Sequence, residues 1–260
     1  MVWLRNATQA TSPLLDLVRK FGAANADAID VLRATLPHWR KIRREFEIIL
    51  EYEWWGRAWV IQKIVVARVV VIQRGPHEVE WEAPQKCLTY PSFLDDEFNR
   101  FNALLFAADV QELRTEESSH EPILNTLLGL AFRFQFQSAT FGSDKLYALL
   151  GLLRPGSPLL LIPDYGMLPE DVFLQFAVSC IVNNKNLTVI ALAAGTEFRD
   201  VSWCRDWRFS YDGWFDTIGE ATRPPHERAF SASGSQPPVF KVHIGRRMLS
   251  LKGYQVNTIE

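Results

Sequence analysis

The chain has 260 residues, 48% of them hydrophobic and 22% charged, with a net charge of −2; this is material for one or two globular domains without the basic footprint of a nucleic-acid or anionic-membrane binder. No apolar run approaches the roughly 20 residues that span a bilayer, and the N-terminus lacks the apolar core of a signal peptide. The three cysteines (Cys87, Cys180, Cys204) and five histidines are scattered, which argues against zinc-ligand spacing and a disulfide framework; we expect no metal, a reducing compartment and a cytoplasmic location.

In chain order, Ser12-Pro13 is expected to open a helix, with Ser12 as N-cap and Pro13 in the first turn. Leu14, Leu17, Val18 and Phe21 recur at helical spacing, and Gly22 fits a C′ position. Asp27 to Leu36 reads as a second short helix, punctuated by Pro37. A third begins there, with Trp39, Ile42, Phe46 and Ile49 as its apolar stripe. Its basic run, Arg40 to Arg44, is followed at once by acids, and Lys41–Glu45 and Arg43–Glu47 pair at i,i+4, so it reads as a solvated face. Trp54-Trp55-Gly56-Arg57-Ala58-Trp59-Val60-Ile61-Gln62-Lys63 comes next, with Gly56 expected to mark a break or a tight approach before the Trp59 helix. Read as a helix, it puts Trp55, Trp59 and Lys63 on one face, as a core stripe or as the wall of a site.

Val69 to Ile72 is expected as a strand, Arg74-Gly75-Pro76 as a turn, and His77 to Trp81 as a return strand or an extended segment. Residues 82–137 read as helices with polar loops, including an acidic first turn at Asp95-Asp96-Glu97, an exposed loop at Thr115 to His120 and a buried apolar helix from Pro122 to Phe136. Ser143-Asp144 is expected to cap a Lys145–Leu150 helix closed by Gly151, and Leu159 to Ile162 to form a short buried strand or an extended run. Pro169 opens a helix with Val172, Phe173, Phe176, Ala177 and Cys180 inward; residues 195–238 read as loop. Val239–Ile244 and Arg247–Val256 read as strands paired around Gly245.

Four segments, in order, resemble blocks of the fungal heterokaryon incompatibility (HET) domain. Arg57-Ala58-Trp59-Val60-Ile61-Gln62-Lys63 is similar to R-x-W-x-x-Q-E, and Asp144-Lys145-Leu146-Tyr147-Ala148-Leu149-Leu150-Gly151-Leu152 to D-P-R-D-K-x-Y-A-L-L-G-L, whose leading D-P-R is replaced here by Phe141-Gly142-Ser143. Ile162-Pro163-Asp164-Tyr165 is similar to x-P-D-Y, and Ser202-Trp203-Cys204-Arg205-Asp206-Trp207 to S-W-x-P-D-W. The family's leading A-L-S-Y-x-W-G and W-I-D-x-x-C-I-N-Q blocks do not occur in the chain. The expected organisation is a helical lead over 1–36, the C-terminal part of a HET-like domain over 37–165, and a helical and loop-rich downstream region over 166–260 that ends in strands. The expected class is α/β to α+β: mainly helical, with a short sheet, a partial TIR-like (flavodoxin-like) remnant and a C-terminal β-hairpin.

The resemblance implies a pocket drawn from Arg57, Trp59, Gln62, Lys63, Asp144, Lys145, Tyr147, Asp164 and Tyr165, with Trp203, Asp206 and Trp207 as structural anchors. Some TIR proteins cleave NAD with a glutamate four residues after a tryptophan; here Lys63 stands at that spacing from Trp59. An ammonium repels the oxocarbenium-like cation formed as nicotinamide leaves, by roughly 4 kcal/mol at ~4 Å and an effective dielectric of about 20. The resemblance therefore implies a non-catalytic or degenerate HET-type protein of nonself recognition and programmed cell death. It would act through protein partners or self-association, without a cofactor. The alternative is a TIR-like hydrolase of NAD or a related nucleotide, in which Asp144 or Asp164 substitutes. From the residues alone, Asp144 and Lys145 read as an N-cap and a surface charge, and Asp164-Tyr165 as an Asx turn with a packed ring.

Overall fold

A computed structural model describes residues 2–3, 11–23, 44, 48, 52–89, 99–115, 126–153, 161–185, 187–193, 201–210, 238–243, 245 and 247–253. The chain divides into two compact units, Met1–Ser118 and Ser119–Glu260. The expected helices over 27–36 and 37–49 lie outside the described residues, apart from helical Arg44 and Ile48, as do Asp95–Glu97, residues 154–160 and most of 195–238.

The first unit holds β1 (Val2–Trp3), α1 (Thr11–Ala23), a 3₁₀ turn (Glu53–Gly56), α2 (Ala58–Val66), β2 (Val71–Arg74), β3 (His77–Glu80), α3 (Glu82–Thr89) and α4 (Asn99–Thr115). Its sheet runs β1-β2-β3. β1 lies parallel to β2 through Val2↔Ile72 and Trp3↔Gln73, and β3 is antiparallel to β2 from Val71↔Glu80 to Arg74↔His77. β2 starts two residues later than β-branching predicts, because Val69 is exposed while Val70, Ile72 and Arg74 are buried. The hairpin turn is Gly75-Pro76, with Gly75 at φ 60°, where a side chain would be strained.

α1 buries Leu14, Leu15, Leu17, Val18 and Phe21 and packs on β3 and α3. It begins at Thr11, one residue ahead of the expected cap. Gly22 is no C′ residue but lies within the helix, where a Cβ would stand 2.6 Å from the Ala83 Cβ and 2.9 Å from its Cα. The glycine lets two helices approach at a distance no side chain tolerates, and Lys86 Nζ donates to the Gly22 carbonyl (3.1 Å) across the same contact. Gly22→Ala is expected to destabilise this unit by about 1–3 kcal/mol through overpacking. Urea unfolding checks it, with Ala83→Gly in the same chain restoring part of the loss.

In the second unit, α5 (Leu127–Arg133), α6 (Asp144–Tyr147), a 3₁₀ turn (Leu150–Leu152), α7 (Pro169–Asn184) and α8 (Thr188–Ala191) are followed by β4 (Phe240–His243) and β5 (Met248–Leu251). The apolar helix expected over 122–136 is shorter, because Thr126 caps it by accepting from the Gly129 N–H (3.2 Å). α6 is one turn, not a helix to Leu150. Ser143 has helical dihedrals and makes no side-chain cap bond, so the capping expected there does not occur, and Gly151 lies inside the 3₁₀ turn. Leu161 and Ile162 form no strand. α7 starts at Pro169, buries the five expected residues and closes at Lys185 with φ 51°. β4 and β5 pair antiparallel from Phe240↔Leu251 to His243↔Met248.

The described residues are thus mainly helical with two small sheets. A flavodoxin-like sandwich needs a multi-stranded parallel sheet covered on both faces; parallel pairing here is confined to β1 and β2. No described helix is long and apolar enough to cross a membrane.

Candidate functional site

The residues of the resembling blocks fall into two groups, Arg57, Trp59, Gln62 and Lys63 in the first unit and the rest in the second.

In the first unit the expected wall of Trp55, Trp59 and Lys63 does not form. Arg57 is extended (φ −91°, ψ 131°), so the helical phase restarts at Ala58 and Trp55 belongs to the preceding 3₁₀ turn. The inward residues of α2 are Ala58, Val60, Ile61 and Ile64. Trp59 and Gln62 are half-buried, and Arg57 and Lys63 are exposed. Trp55 instead packs on Trp81 (6.0 Å between ring centroids) and Phe106 (6.4 Å), with Trp54 edge-on to it at 4.8 Å. Arg114 from α4 donates to the carbonyls of Ile64 and Ala67 and thereby caps the C-terminal end of α2.

In the second unit the blocks converge. The Tyr165 hydroxyl donates to Asp144 Oδ1 (2.8 Å), and the Tyr165 ring stands edge-on to Tyr147 (5.4 Å) and Phe141 (6.3 Å). Tyr147 lies between them and the chain: its hydroxyl donates to the Asp164 carbonyl (3.2 Å) and accepts from the Asp164 N–H (3.1 Å). Asp164 Oδ1 accepts from the Gly166 N–H (2.8 Å), which closes an Asx turn. The hydrogen bond to Asp144 raises the Tyr165 phenol above its ordinary range, since ionising it would lose the bond and place two anions together.

Asp144 is not the N-cap, and Lys145 not the surface charge, that their residue types indicate. Asp144 is 6% exposed. Lys145 Nζ turns inward, donating to the Gln135 carbonyl (2.6 Å) and to the Gln137 carbonyl. Burial, and then the nearby Arg205 charge, lower its pKa to about 8.

Arg205, which the sequence reading did not single out, is the second cation of this centre. It is 2% exposed. It donates to Gln135 Oε1 (2.6 Å) and the Leu192 carbonyl (3.2 Å), and its guanidinium lies 5.0 Å from the Trp207 ring centroid. Burial lowers its pKa to about 10 against the opposing pull of Asp206. Gln135 therefore joins both cations, through its backbone oxygen to Lys145 and its side-chain oxygen to Arg205. The only hint in the sequence was a charge set between two tryptophans.

The rest of that segment is tied down on all sides. Trp207 is buried against Phe176 of α7 (5.9 Å), and the Trp203 indole N–H donates to the Arg247 carbonyl (3.1 Å). Asp206 is 3% exposed and accepts from Arg208 at Nε (2.9 Å) and Nη2 (2.6 Å) and from its backbone N–H (3.0 Å). Arg208 also reaches Glu170 (2.7 Å) at the start of α7. The thiols are buried, and burial pushes Cys87 and Cys204 up to about 12 and Cys180 higher still, so none is poised as a nucleophile. Among the described residues no His, Cys, Asp and Glu group could hold a metal ion.

No protein-family model matches the chain, and neither a curated protein nor a solved structure matches it.

Proposed function

We propose that this chain is a non-catalytic, cytoplasmic HET-type protein that acts through protein contact in fungal nonself recognition and the cell death coupled to it. One observation carries the reading: the charged groups of the blocks in the second unit are engaged by the protein's own atoms. Lys145 and Arg205 are held by carbonyl oxygens, Asp206 by Arg208, Asp144 by Tyr165 and Asp164 by the Gly166 N–H. Such groups hold a scaffold together and leave little to meet a substrate. Lys63, exposed and cationic at the spacing where the family has an acid, supports the same conclusion. Contact with other proteins is supported by Phe141, Tyr165, Leu168 and Phe209, which are 60–64% exposed and lie in or beside the blocks.

The test is to incubate the purified chain with NAD and follow nicotinamide release, beside Lys63→Glu and Asp144→Ala. Wild type is expected to release none above a protein-free blank. Turnover by wild type that disappears in Asp144→Ala would establish the hydrolase instead. Sedimentation over a range of concentrations probes the contact role: association is expected, and a monomer throughout counts against it.

A further inference from the structure

The outer edge of β3, unpaired by any strand among the described residues, borders a cleft of about 760 Å³ between the end of α1, β3 and the first turns of α3. β3 is the last strand of its sheet. Its register decides which backbone groups face outward. The two-residue turn makes Arg74↔His77 a hydrogen-bonded pair, and the Trp81 N–H donates to the Val70 carbonyl (2.9 Å) at the far end of the same ladder. Alternation then puts Glu78 and Glu80 at the non-bonded positions, with their N–H and C=O groups turned away from β2. Arg19 of α1 donates to the outward Glu78 carbonyl. The N–H groups of Glu78 and Glu80 and the Glu80 carbonyl have no backbone partner among the described residues.

The side chains add a sign to this edge: the two cations of the cleft are engaged, Arg19 with Asp16 and the Glu78 carbonyl and Lys86 with the Gly22 carbonyl, while the strand itself carries acids. Glu78, Glu80 and Glu82 all line the cleft and are exposed. Glu82 is shared with Arg114 (3.3 Å), whereas Glu78 and Glu80 make no ion pair among the described residues. Being two apart on a strand, they point to one face.

We propose that this edge binds an extended basic segment of a partner protein, which adds as a fourth strand beside β3 with Lys or Arg at alternate positions facing Glu78 and Glu80. Main-chain bonds to the three outward groups would give affinity, and the carboxylates would select the charge. The same acids repel acidic strands, a second copy of β3 among them, so the edge disfavours self-pairing and favours one class of ligand. The proposal does not depend on the family resemblance.

The experiment titrates the full chain with a fluorescent, end-blocked peptide alternating Lys and Val, its Glu–Val counterpart, and a Lys–Val form N-methylated along its central backbone. Saturable binding is expected for the first peptide alone. Glu78→Lys with Glu80→Lys should weaken it about tenfold or more, and Glu80→Gln by a smaller factor; circular dichroism verifies the fold of both. Failure of the Lys–Val peptide to bind, equal binding by the N-methylated form, or indifference to the charge reversal would each overturn the proposal.

Discussion

Arg205→Met is expected to lower the unfolding free energy of the second unit by about 2–4 kcal/mol, the largest single loss among substitutions in the resembling blocks. Two buried acceptors lose their donor, Gln135 Oε1 at 2.6 Å and the Leu192 carbonyl at 3.2 Å. Each orphaned acceptor costs about 1–3 kcal/mol, and the stacking on Trp207 adds about 1 kcal/mol. An opposing term limits the sum. The guanidinium is itself desolvated, which lowers its pKa, and its Nε is buried without an acceptor among the described residues. Methionine removes that penalty while filling most of the volume. The mechanism is separable from general core damage by a double-mutant cycle with Gln135→Met. If Arg205 acts through Gln135, the double variant costs about 1 kcal/mol less than the two single losses added together. Strict additivity, or a loss in Arg205→Met below about 1 kcal/mol, would show that the clip carries no weight.

The fold was legible where a local rule acts alone. The turn at Arg74-Gly75-Pro76, the Pro169 start of α7 and the pairing of β4 with β5 all depend on turn chemistry or a single periodic face, and they occur as read; of the two readings left open for His77 to Trp81, the return strand forms. The misreadings came from tertiary contact. Gly22 carries the composition of a helix stop but exists to admit Ala83, a residue 61 positions away that no local pattern names. The tryptophan wall failed at one extended residue, Arg57, which reset the phase between Trp55 and Trp59.

The site shows the same division. The tie between Tyr165 and Asp144 joins two blocks recognised in the sequence, and the Asx turn at Asp164 follows from residue type. Lys145 was misread because a lysine at the start of a short helix is ordinarily solvated; here the segment that follows α5 turns two carbonyls toward it. Arg205 and Gln135 were missed because neither type in isolation signals burial. Only their 2.6 Å contact makes them a pair.

Lys145 gives the second large effect, one that depends on pH. Its folded pKa of about 8 lies below the unfolded value of 10.5, so the unfolded chain binds more protons between those limits. The burial penalty on the ammonium is therefore present in full below pH 8 and is relieved as pH rises toward 10.5. The neutral amine keeps two N–H groups, enough for both the Gln135 and Gln137 carbonyls. Stability contributed by this residue should grow by about 3 kcal/mol across that window, from 1.4 kcal/mol for each pKa unit. The buried thiols work in the opposite direction: Cys87 and Cys204 have folded values near 12, so their contribution is lost as pH rises above 9. They act equally in wild type and in Lys145→Met, so they cancel in the difference between the two proteins. Urea unfolding at pH 7, 8.5 and 10 should show wild type gaining on Lys145→Met at each step. A difference that stays flat would mean that Lys145 remains protonated in the fold throughout, and that its two carbonyls stabilise the charged form as well as water does.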